Sequence, residues 1–257
     1  MSLISIIIST WNIGSLHEGG HYARNLDYLR TVLTARPTDI LCLQECPNDP
    51  DFLRQVTEWT GLTHIHYVVT SESHIDLQHD MGLCVLSRCP VTEISRIQPA
   101  KPQVEAWHKG KREYWHDKLF LALHGEIHGR ELAVITGHGF PFHRYGLDDG
   151  EHDSVIAPSF GEVDHWIREL RSQHPHILFC IAADFNYGEP LRFMPYLNES
   201  FADAFHGEAT RPSGRKTDAI ILPADHRPGD KQNVRAPLNE KGRGYFDHNF
   251  ISASYSL

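Results

Sequence analysis

The chain has 257 residues, 40% of them hydrophobic and 22% charged, which is the balance of a soluble globular protein with a sizeable core. Its formal net charge of −9 excludes the overall basic surface of a non-specific nucleic-acid binder, although carboxylates can gather to hold cations. Five cysteines without a CxxC pair predict neither a zinc site nor a disulfide set. The N-terminus lacks a basic segment and no apolar run reaches membrane-spanning length, so we expect a cytoplasmic protein with no transmembrane segment.

Apolar runs of strand length and stretches of helical periodicity alternate along the chain. In the first half they predict strands over Leu3–Thr10, Asp39–Leu43, His64–Thr70, Gly82–Ser87 and Val91–Gln98. They also predict helices over Tyr22–Ala35 and Asp51–Trp59. In the second half they predict a hairpin of Leu119–Ile127 and Glu131–Thr136, a loop to about Ser159, a helix over Glu162–Gln173, and strands beginning at Ile177, Thr217 and Asn249. No repeat or linker interrupts this pattern, so we predict one domain over residues 1–257, with packed sheets and outer helices.

Polar side chains recur where predicted strands emerge into loops. The clearest case is ILFCIAADFNYG, Ile177–Gly188, a strand buried on both faces that ends in Asp184 and Asn186 before turn residues. Two polar side chains at the end of a core strand are costly unless a partner, a metal or a substrate satisfies them. A single aspartate there also serves as a simple turn cap, so function depends on whether other strands end alike. They do, and the full set is Asn12, Glu45, His138, Asp184, Asn186, Asp218, Asp247 and His248.

The residue types in this set suit the hydrolysis of phosphate esters. Carboxylate and amide oxygens are ligands for a hard cation, Mg²⁺ or Mn²⁺, rather than for zinc. Histidine and carboxylate side chains can orient or deprotonate water, and proton-donating groups stabilise charge on phosphoryl oxygens.

One competing motif, His17–His21, matches the HExxH signature of zinc proteases. That chemistry needs both histidines on one face of a helix. Two consecutive glycines inside the motif oppose a helix by about 1 kcal/mol each relative to alanine. We therefore do not predict a metalloprotease.

The motifs WN, LQE, a histidine ending a mid-chain strand, ADFN, TDAI and DH occur in this order. Together they resemble the endonuclease/exonuclease/phosphatase superfamily, which includes deoxyribonuclease I, over nearly the whole chain. The resemblance implies an α/β (α+β) fold, a four-layer α/β/β/α sandwich of two packed mixed β-sheets with outer helices. It also implies a phosphoesterase site, dependent on Mg²⁺ or Mn²⁺, at one edge of the sheets.

The resemblance further implies a role for each matching residue. Glu45 resembles the principal metal-ligand carboxylate, with Asn12 beside it as ligand and substrate contact, and Asp247 as a further ligand. Asp184 resembles the residue that aligns or deprotonates the attacking water. Asn186 resembles the residue that contacts the scissile phosphate.

The histidines also match, with departures around them. His248 resembles the catalytic histidine, oriented by Asp218 through a hydrogen bond, and His138 resembles the histidine that binds the phosphate and assists the leaving group. The usual Thr-His-Leu motif is here Gly137–Phe140, so we expect the loop after His138 to run differently.

Two segments are candidates for substrate specificity. Residues 101–118 interleave basic groups with Trp107, Tyr114 and Trp115, which suits nucleic-acid contact but also a dimer contact or a hairpin whose aromatics pack down. Residues 223–244 are predicted to form a long loop, either a specificity loop or a solvated insertion. Its basic residues are Arg227, Lys231, Arg235, Lys241 and Arg243.

We therefore predict a metal-dependent nuclease that hydrolyses phosphodiester bonds. Its expected substrate is a phosphate ester, with nucleic acid as the first candidate. One alternative is a phosphatase or phosphodiesterase for a small or lipid-derived phosphate, such as an inositol phosphate or sphingomyelin. A catalytically silent scaffold is the other, and the complete set of eight positions speaks against it. The sequence leaves open endo- or exonuclease mode, the number of metals and the oligomeric state.

Overall fold

A computed structural model describes residues 5–71, 80–147, 150–226, 228–237 and 245–256. Its strands are β1 (Ser5–Asn12), β2 (Ile40–Pro47), β3 (His64–Ser71), β4 (Met81–Ser87), β5 (Val91–Ile97), β6 (Ala106–His108), β7 (Lys111–Glu113), β8 (Leu119–Ile127), β9 (Arg130–His138), β10 (Leu178–Asp184), β11 (Phe201–Asp203), β12 (Asp218–Pro223), β13 (Pro228–Val234) and β14 (Phe250–Ser256). Its α-helices are α1 (Tyr22–Ala35), α2 (Pro50–Thr60), α3 (Asp153–Gln173) and α4 (Pro195–Ser200). Short 3₁₀ helices cover Gly14–Gly20, Phe142–Tyr145, Gly150–His152 and Pro190–Phe193.

Two six-stranded mixed sheets form the centre of the molecule. The first sheet has the order β13-β14-β1-β2-β4-β3 and the second has the order β11-β12-β10-β9-β8-β5, while β6 and β7 form a separate hairpin. The pair β1 and β2 in the first sheet is parallel, and so is the pair β9 and β10 in the second. Parallel neighbours bring their carboxyl ends to the same edge, which is where the predicted polar residues lie.

Three apolar layers separate the sheets and helices. The central layer lies between the sheets, the second packs α1 and α2 on the first sheet, and the third packs α3 and α4 on the second sheet. In β10, Cys180 and Ala182 face the central layer while Ile181 faces the helices, so both faces of this apolar strand are buried. The four-layer α/β/β/α sandwich implied by the resemblance is confirmed.

Helix α3 starts at Asp153, nine residues before the predicted start at Glu162. The proline at position 158 and the polar residues before it favoured a loop, since proline lacks the N–H of a helical hydrogen bond. In the structure Ile156 and Phe160 are buried against the second sheet. Burial of these two side chains outweighs the local cost of Pro158 inside the helix.

The segment 223–244 is not one long loop, because it contains the edge strand β13. Lys231 Nζ donates to the carbonyl of Ala204 at 2.8 Å, and Arg235 Nη2 donates to the carbonyl of Pro212 at 2.6 Å. These two cations are therefore held by neighbouring backbone. Arg227, Lys241 and Arg243 lie outside the described residues.

The HExxH motif does not lie on one α-helix. Residues 14–20 form a 3₁₀ helix, and His21 precedes α1. All five cysteines are free thiols, as expected. Among the described residues, no helix is both long and apolar enough to cross a membrane.

Candidate active site

The register of the second sheet aligns four strand ends in one row. Asp184, at the end of β10, pairs with Asp218 at the start of β12 and with His138 at the end of β9. His138 pairs in turn with Leu119, the first residue of β8, so Lys118 lies just beyond the row. Strands β8 and β12 run antiparallel to β9 and β10. The carboxyl ends of β9 and β10 therefore lie beside the amino ends of β8 and β12 at this edge.

The first sheet contributes Glu45 through a local irregularity in β2. Gln44 Nε2 donates to Thr136 Oγ1 at 3.1 Å, and Glu45 Oε1 lies 3.5 Å from His138 Nε2, so both side chains reach the second sheet. Neighbours in a regular strand point to opposite faces. Here the pairing of β2 with β4 shifts at this point and Glu45 has a φ of 50°. Such backbone strain in a non-glycine residue is typical of functional sites.

Gly14 makes room for the Glu45 carboxylate. A Cβ atom at position 14 would lie 1.9 Å from Glu45 Oε2, far inside any contact distance. The loop after β1 therefore requires glycine at this position for Glu45 to keep its place.

Asn12 joins two carboxylates of the site. Its Nδ2 donates to Glu45 Oε1 at 3.1 Å and to Asp184 Oδ2 at 2.9 Å. Its Oδ1 accepts a hydrogen bond from the backbone N–H of Gly14 at 3.0 Å. The Gly14 N–H occupies one of the two lone pairs of this oxygen, so Asn12 positions both carboxylates, and its direct ligand role stays a prediction.

Asp184 lies at the centre of the site and is fully buried. Its second oxygen accepts from the backbone N–H of Asn186 at 2.8 Å. Burial raises the pKa of Asp184 to about 6, with the charge of His248 lowering it and that of Asp218 raising it. A carboxyl group that titrates near neutrality is suited to accept a proton from water.

His248 is held by Asp218, as the resemblance implies. Its Nδ1 lies 3.0 Å from each carboxylate oxygen of Asp218. Asp218 Oδ2 also accepts from Thr210 Oγ1 at 2.8 Å and from Thr217 Oγ1 at 3.0 Å. The backbone carbonyl of His248 accepts from the indole N–H of Trp11 at 3.1 Å. These bonds fix the ring with Nε2 directed toward Asp184, 3.8 Å away.

The charges around His248 decide its protonation. Burial alone would lower its pKa, but the carboxylates of Asp218, Asp247 and Asp184 raise the pKa of His248 to about 10. The ring is therefore an imidazolium at neutral pH, a proton donor and a positive charge rather than a base.

His138 faces the same oxygen from the other side. Its Nε2 lies 3.6 Å from Asp184 Oδ2, and its side chain is 12% exposed. Nζ of Lys118 lies 3.3 Å from its Nε2 and 3.4 Å from its Nδ1. The Nε2 atoms of both histidines thus lie within 4 Å of one Asp184 oxygen, and a phosphate group fits the chemistry of the space they frame.

Asn186 is the second strained residue of the site, with a φ of 53°. Its Nδ2 donates to the carbonyl of Gly139 at 3.1 Å, which leaves one amide hydrogen for a substrate. Gly139 packs tightly, since a Cβ there would lie 2.4 Å from the carbonyl oxygen of Phe185. This close approach favours glycine over the usual leucine at position 139, and at position 137 a Cβ would lie 2.1 Å from Phe120 Cδ1.

Asp247 is engaged with a cation of the protein. Its Oδ1 accepts from Ser15 Oγ at 2.6 Å, and its other oxygen forms an ion pair with Arg211. Burial raises the pKa of Asp247, but the charges of His248 and Arg211 outweigh it and lower the pKa below its usual value. Asp247 is half exposed and keeps its negative charge beside the site, where it is still available to a cation.

Sequence reasoning missed several members of this network. Arg211 lies in an irregular segment with no periodic signal, and Thr210 gave none either. Thr217 belongs to the TDAI motif, which predicts no separate role for it, and Lys118 is predicted only as one of the basic groups of residues 101–118 that suit phosphate contact. Extending the predicted hairpin by one residue would have placed Lys118 opposite the loop after His138.

The segment 101–118 forms a hairpin beside the site, with the two-residue turn Lys109–Gly110. Trp115 packs edge-on against Phe140 with ring centroids 5.7 Å apart, which confirms the packed-hairpin interpretation for this residue. Trp107 is 53% exposed and Tyr114 is 79% exposed.

A cavity of about 410 Å³ opens beside Asn186 and Thr217. Its remaining lining residues are His143, Tyr187, Gly188, Glu189, Arg215 and Lys216. The cavity therefore offers space beside the side chain of Asn186.

The donor chemistry fits a hard divalent cation at Glu45. Its carboxylate side chain is 25% exposed, and Asp247 adds a second accessible carboxylate. Asp184, Asp218 and His248 also offer three ligand atoms within 4.8 Å of one another. Asp184 and Asp218 are buried and their oxygens already accept hydrogen bonds from protein groups, whereas Glu45 is partly exposed, so we favour Glu45 as the ligand.

Solved structures of low sequence identity share this fold. A truncated TDP2 from Caenorhabditis elegans has a TM-score of 0.69 at 16% identity, with coverage of 99% of this chain and 98% of that one. The catalytic domain of human Nocturnin with bound sulfate anion has a TM-score of 0.68 at 13% identity, covering 98% and 93%. D. rerio TDP2 complexed with single strand DNA product has a TM-score of 0.67 at 14% identity, covering 98% and 99%. No curated protein sequence matches the chain.

The sequence itself matches one family. The profile of the Endonuclease/Exonuclease/phosphatase family covers residues 9–218, from within β1 to the first residue of β12. That range includes the ends of β1, β2, β9 and β10, which carry Asn12, Glu45, His138 and Asp184. From the matched range, together with the fold, we conclude that the chain belongs to the endonuclease/exonuclease/phosphatase family.

Proposed function

We propose that this protein is a divalent-metal-dependent phosphodiesterase that hydrolyses nucleic acid by in-line attack of water on phosphorus. The observation that carries the proposal is the row Asp218–Asp184–His138, which meets Asn12, Glu45 and His248 at one edge of the two sheets. A buried carboxyl of raised pKa beside an imidazolium supplies a base and an acid within one site.

In the proposed reaction, Asp184 accepts a proton from the attacking water as the new P–O bond forms. The imidazolium of His248 donates a hydrogen bond to a phosphoryl oxygen and stabilises the charge that develops there. His138 lies where it can bind the phosphate and assist the leaving oxygen as the scissile P–O bond breaks. Asn186 contacts the phosphate through its remaining amide hydrogen, and Asp218 keeps His248 in the required orientation.

A cation held by Glu45 would neutralise charge on the phosphate and polarise it toward attack. Asn12 would position Glu45 and Asp184 relative to each other through its two N–H bonds. Asp247 would act as a further ligand. We propose Mg²⁺ or Mn²⁺ because Glu45 and Asp247 offer carboxylate oxygens, the ligands that these hard cations prefer.

Nucleic acid is the proposed substrate for two reasons. The structural neighbour from D. rerio was solved as a complex with single strand DNA product. In this chain, the hairpin beside the site exposes Trp107 and Tyr114, and base stacking on exposed aromatics is a common mode of single-strand binding.

We also propose a cytoplasmic location. Five free cysteines, four of them buried, are typical of proteins that reside in a reducing compartment.

A hydrolysis screen with Mg²⁺ and Mn²⁺ tests the function, with Asp184→Asn as the blank. The panel holds single- and double-stranded DNA, RNA, bis-p-nitrophenyl phosphate, inositol phosphates and sphingomyelin. We expect metal-dependent cleavage of a polynucleotide that the blank lacks, and a Glu45→Gln variant that needs more Mg²⁺ for half-maximal activity. Activity on inositol phosphate or sphingomyelin alone would keep the site and refute the nucleic-acid assignment. Equal activity of wild type and Asp184→Asn would refute the site.

A further inference from the structure

The Lys118 side chain is a cation that lies among the proposed catalytic residues, and the proposed reaction assigns no step to it. Its Nζ is almost equally distant from the two ring nitrogens of His138, at 3.3 and 3.4 Å. The ammonium therefore faces the ring as a whole and is not directed at one nitrogen. The charges of Glu45 and Asp184 both act on it.

The sheet itself directs Lys118 into the site. Leu119 is paired with His138 in the ladder, so Lys118 stands one step beyond it at the same edge. The neighbouring Asp117 points the other way and forms an ion pair with Lys101 at 2.9 Å on the surface. The two side chains thus separate just before β8, the lysine toward His138 and the aspartate toward the surface.

A second half-buried lysine, Lys216, shows what a structural role looks like. Lys216 Nζ lies 2.6 Å from Asp203 Oδ2 and donates to the carbonyl of Asp218 at 2.9 Å, so its charge is neutralised locally. Lys118 has three N–H donors, and the contact with His138 occupies at most one of them. Burial lowers the pKa of Lys118 while the two nearby carboxylates oppose this, and such a desolvated donor acts strongly on an anion.

We propose that Lys118 is a catalytic residue that donates a hydrogen bond to a non-bridging oxygen of the scissile phosphate, next to His138. This inference rests on the proposed phosphodiester hydrolysis and adds a contact to it. Lys118 and the imidazolium of His248 then flank Asp184 from two sides, so the phosphate is held by positive charges around the buried base.

The test compares Lys118→Met, which keeps length and removes charge, with Lys118→Arg and the control Lys111→Met. Lys111 belongs to the same segment and is exposed in the hairpin. The rate of bis-p-nitrophenyl phosphate hydrolysis at saturating Mn²⁺ is measured, and calorimetry gives the affinity for inorganic phosphate. We expect Lys118→Met to lower kcat about 10²-fold and to weaken phosphate binding, Lys118→Arg to recover part of both, and Lys111→Met to change neither.

Two outcomes would overturn the inference. One is a Lys118→Met variant that keeps kcat and phosphate affinity at saturating metal while binding Mn²⁺ more tightly, because Lys118 would then only occupy space meant for the metal. The other is equal loss in Lys118→Met and Lys111→Met. Absence of hydrolysis by the wild type would refute the proposed function, and phosphate calorimetry would still decide on Lys118. Circular dichroism and Tm of each variant show whether it folds.

Discussion

The two ends of the second sheet are built from the same strands and satisfy their polar groups in different ways. At the far end, His124 lies 3.6 Å from Glu131, and these side chains are 31% and 56% exposed. At the site end, Asp184 is fully buried, and protein groups supply the hydrogen bonds to its oxygens. Glu131 at the far end is exposed to water, whereas the charges at the site end depend on one another.

This difference has a consequence for substitutions. Where water is the partner, one side chain can change without harming its neighbours. Where protein groups are the partners, removal of one leaves others buried without a bond, at a cost of about 1–3 kcal/mol each. Non-glycine residues with positive φ occur at both ends, but in different settings. His128 has a positive φ within the tight turn between β8 and β9, while Glu45 and Asn186 have positive φ beside the site.

The largest effect is expected from His248→Ala, with His124→Ala as the matched control at the far end. Loss of the imidazolium should lower kcat for a phosphodiester by about 10³-fold, within the usual contribution of a proton-donating group. The control should stay within about twofold of wild type, as is usual for surface substitutions. Steady-state kinetics at saturating metal measures both, and equal losses in the two variants would remove the distinction between the ends.

The second-largest effect is expected from Gly14→Ala, which should displace the Glu45 side chain while leaving its carboxylate chemically unchanged. A methyl group there must displace the carboxylate, because it would lie 1.9 Å from Oε2. We expect Mn²⁺ affinity to fall by about 10- to 100-fold, the range found for residues that orient metal ligands. The control is Gly161→Ala in α3, where a new Cβ meets nothing within 4 Å. Metal titration followed by calorimetry gives both values, and unchanged Mn²⁺ affinity in Gly14→Ala would contradict a ligand role for Glu45.

The sequence allowed the strand ends to be predicted because their signals are local. An apolar run that stops at a carboxylate identifies Asp184, and the same pattern identifies Asn12, Glu45 and His138. Once the order of the strands in each sheet is known, strand pairing places these residues next to one another. The pattern of strands and helices predicts packed sheets with outer helices, and the family resemblance implies the four-layer arrangement.

The remaining features depend on contacts between distant segments. The bulge that turns Glu45 toward the second sheet arises from its pairing with β4, and no local residue pattern marks it. Arg211 reaches the site from an irregular segment and joins Asp247, 36 residues away in sequence. Helix α3 extends past Pro158 because the core beneath it buries Ile156 and Phe160.

The third prediction concerns the stability of Asp184→Asn, which should increase relative to wild type as pH rises, although the variant loses activity. The pKa of Asp184 is raised in the folded state, so the folded protein binds the proton more tightly than the unfolded chain does, and stability falls as pH rises from about 4 to 6. Relative to wild type, metal-free Asp184→Asn should therefore be about 3 kcal/mol more stable at pH 8 than it is below about pH 4, where Asp184 is protonated in both states. The cost of placing an amide against the N–H donors of Asn12 and Asn186 applies at both pH values and cancels in this difference. Urea unfolding in EDTA at both pH values measures the difference, and a value near zero would show that burial does not raise the pKa of Asp184.

The smallest effect is expected at the hairpin, where the comparison moves from the sheet to the surface beside the site. Trp115 packs on Phe140 and serves the fold, but Trp107 and Tyr114 are exposed. If bases stack on them, the double variant Trp107→Ala/Tyr114→Ala should raise KM for single-stranded DNA about tenfold, since one stacked base contributes about 1–3 kcal/mol.

The same variant should leave hydrolysis of bis-p-nitrophenyl phosphate unchanged, because that substrate is too small to reach the hairpin. Ile65→Ala provides the control, since Ile65 is an exposed apolar side chain, 43% exposed, on the edge strand β3 of the other sheet. An equal rise in KM for both substrates would mean that the hairpin supports the site and does not bind the polynucleotide. An unchanged KM for DNA would place base recognition elsewhere, and the cavity beside Asn186 would then be the next surface to substitute.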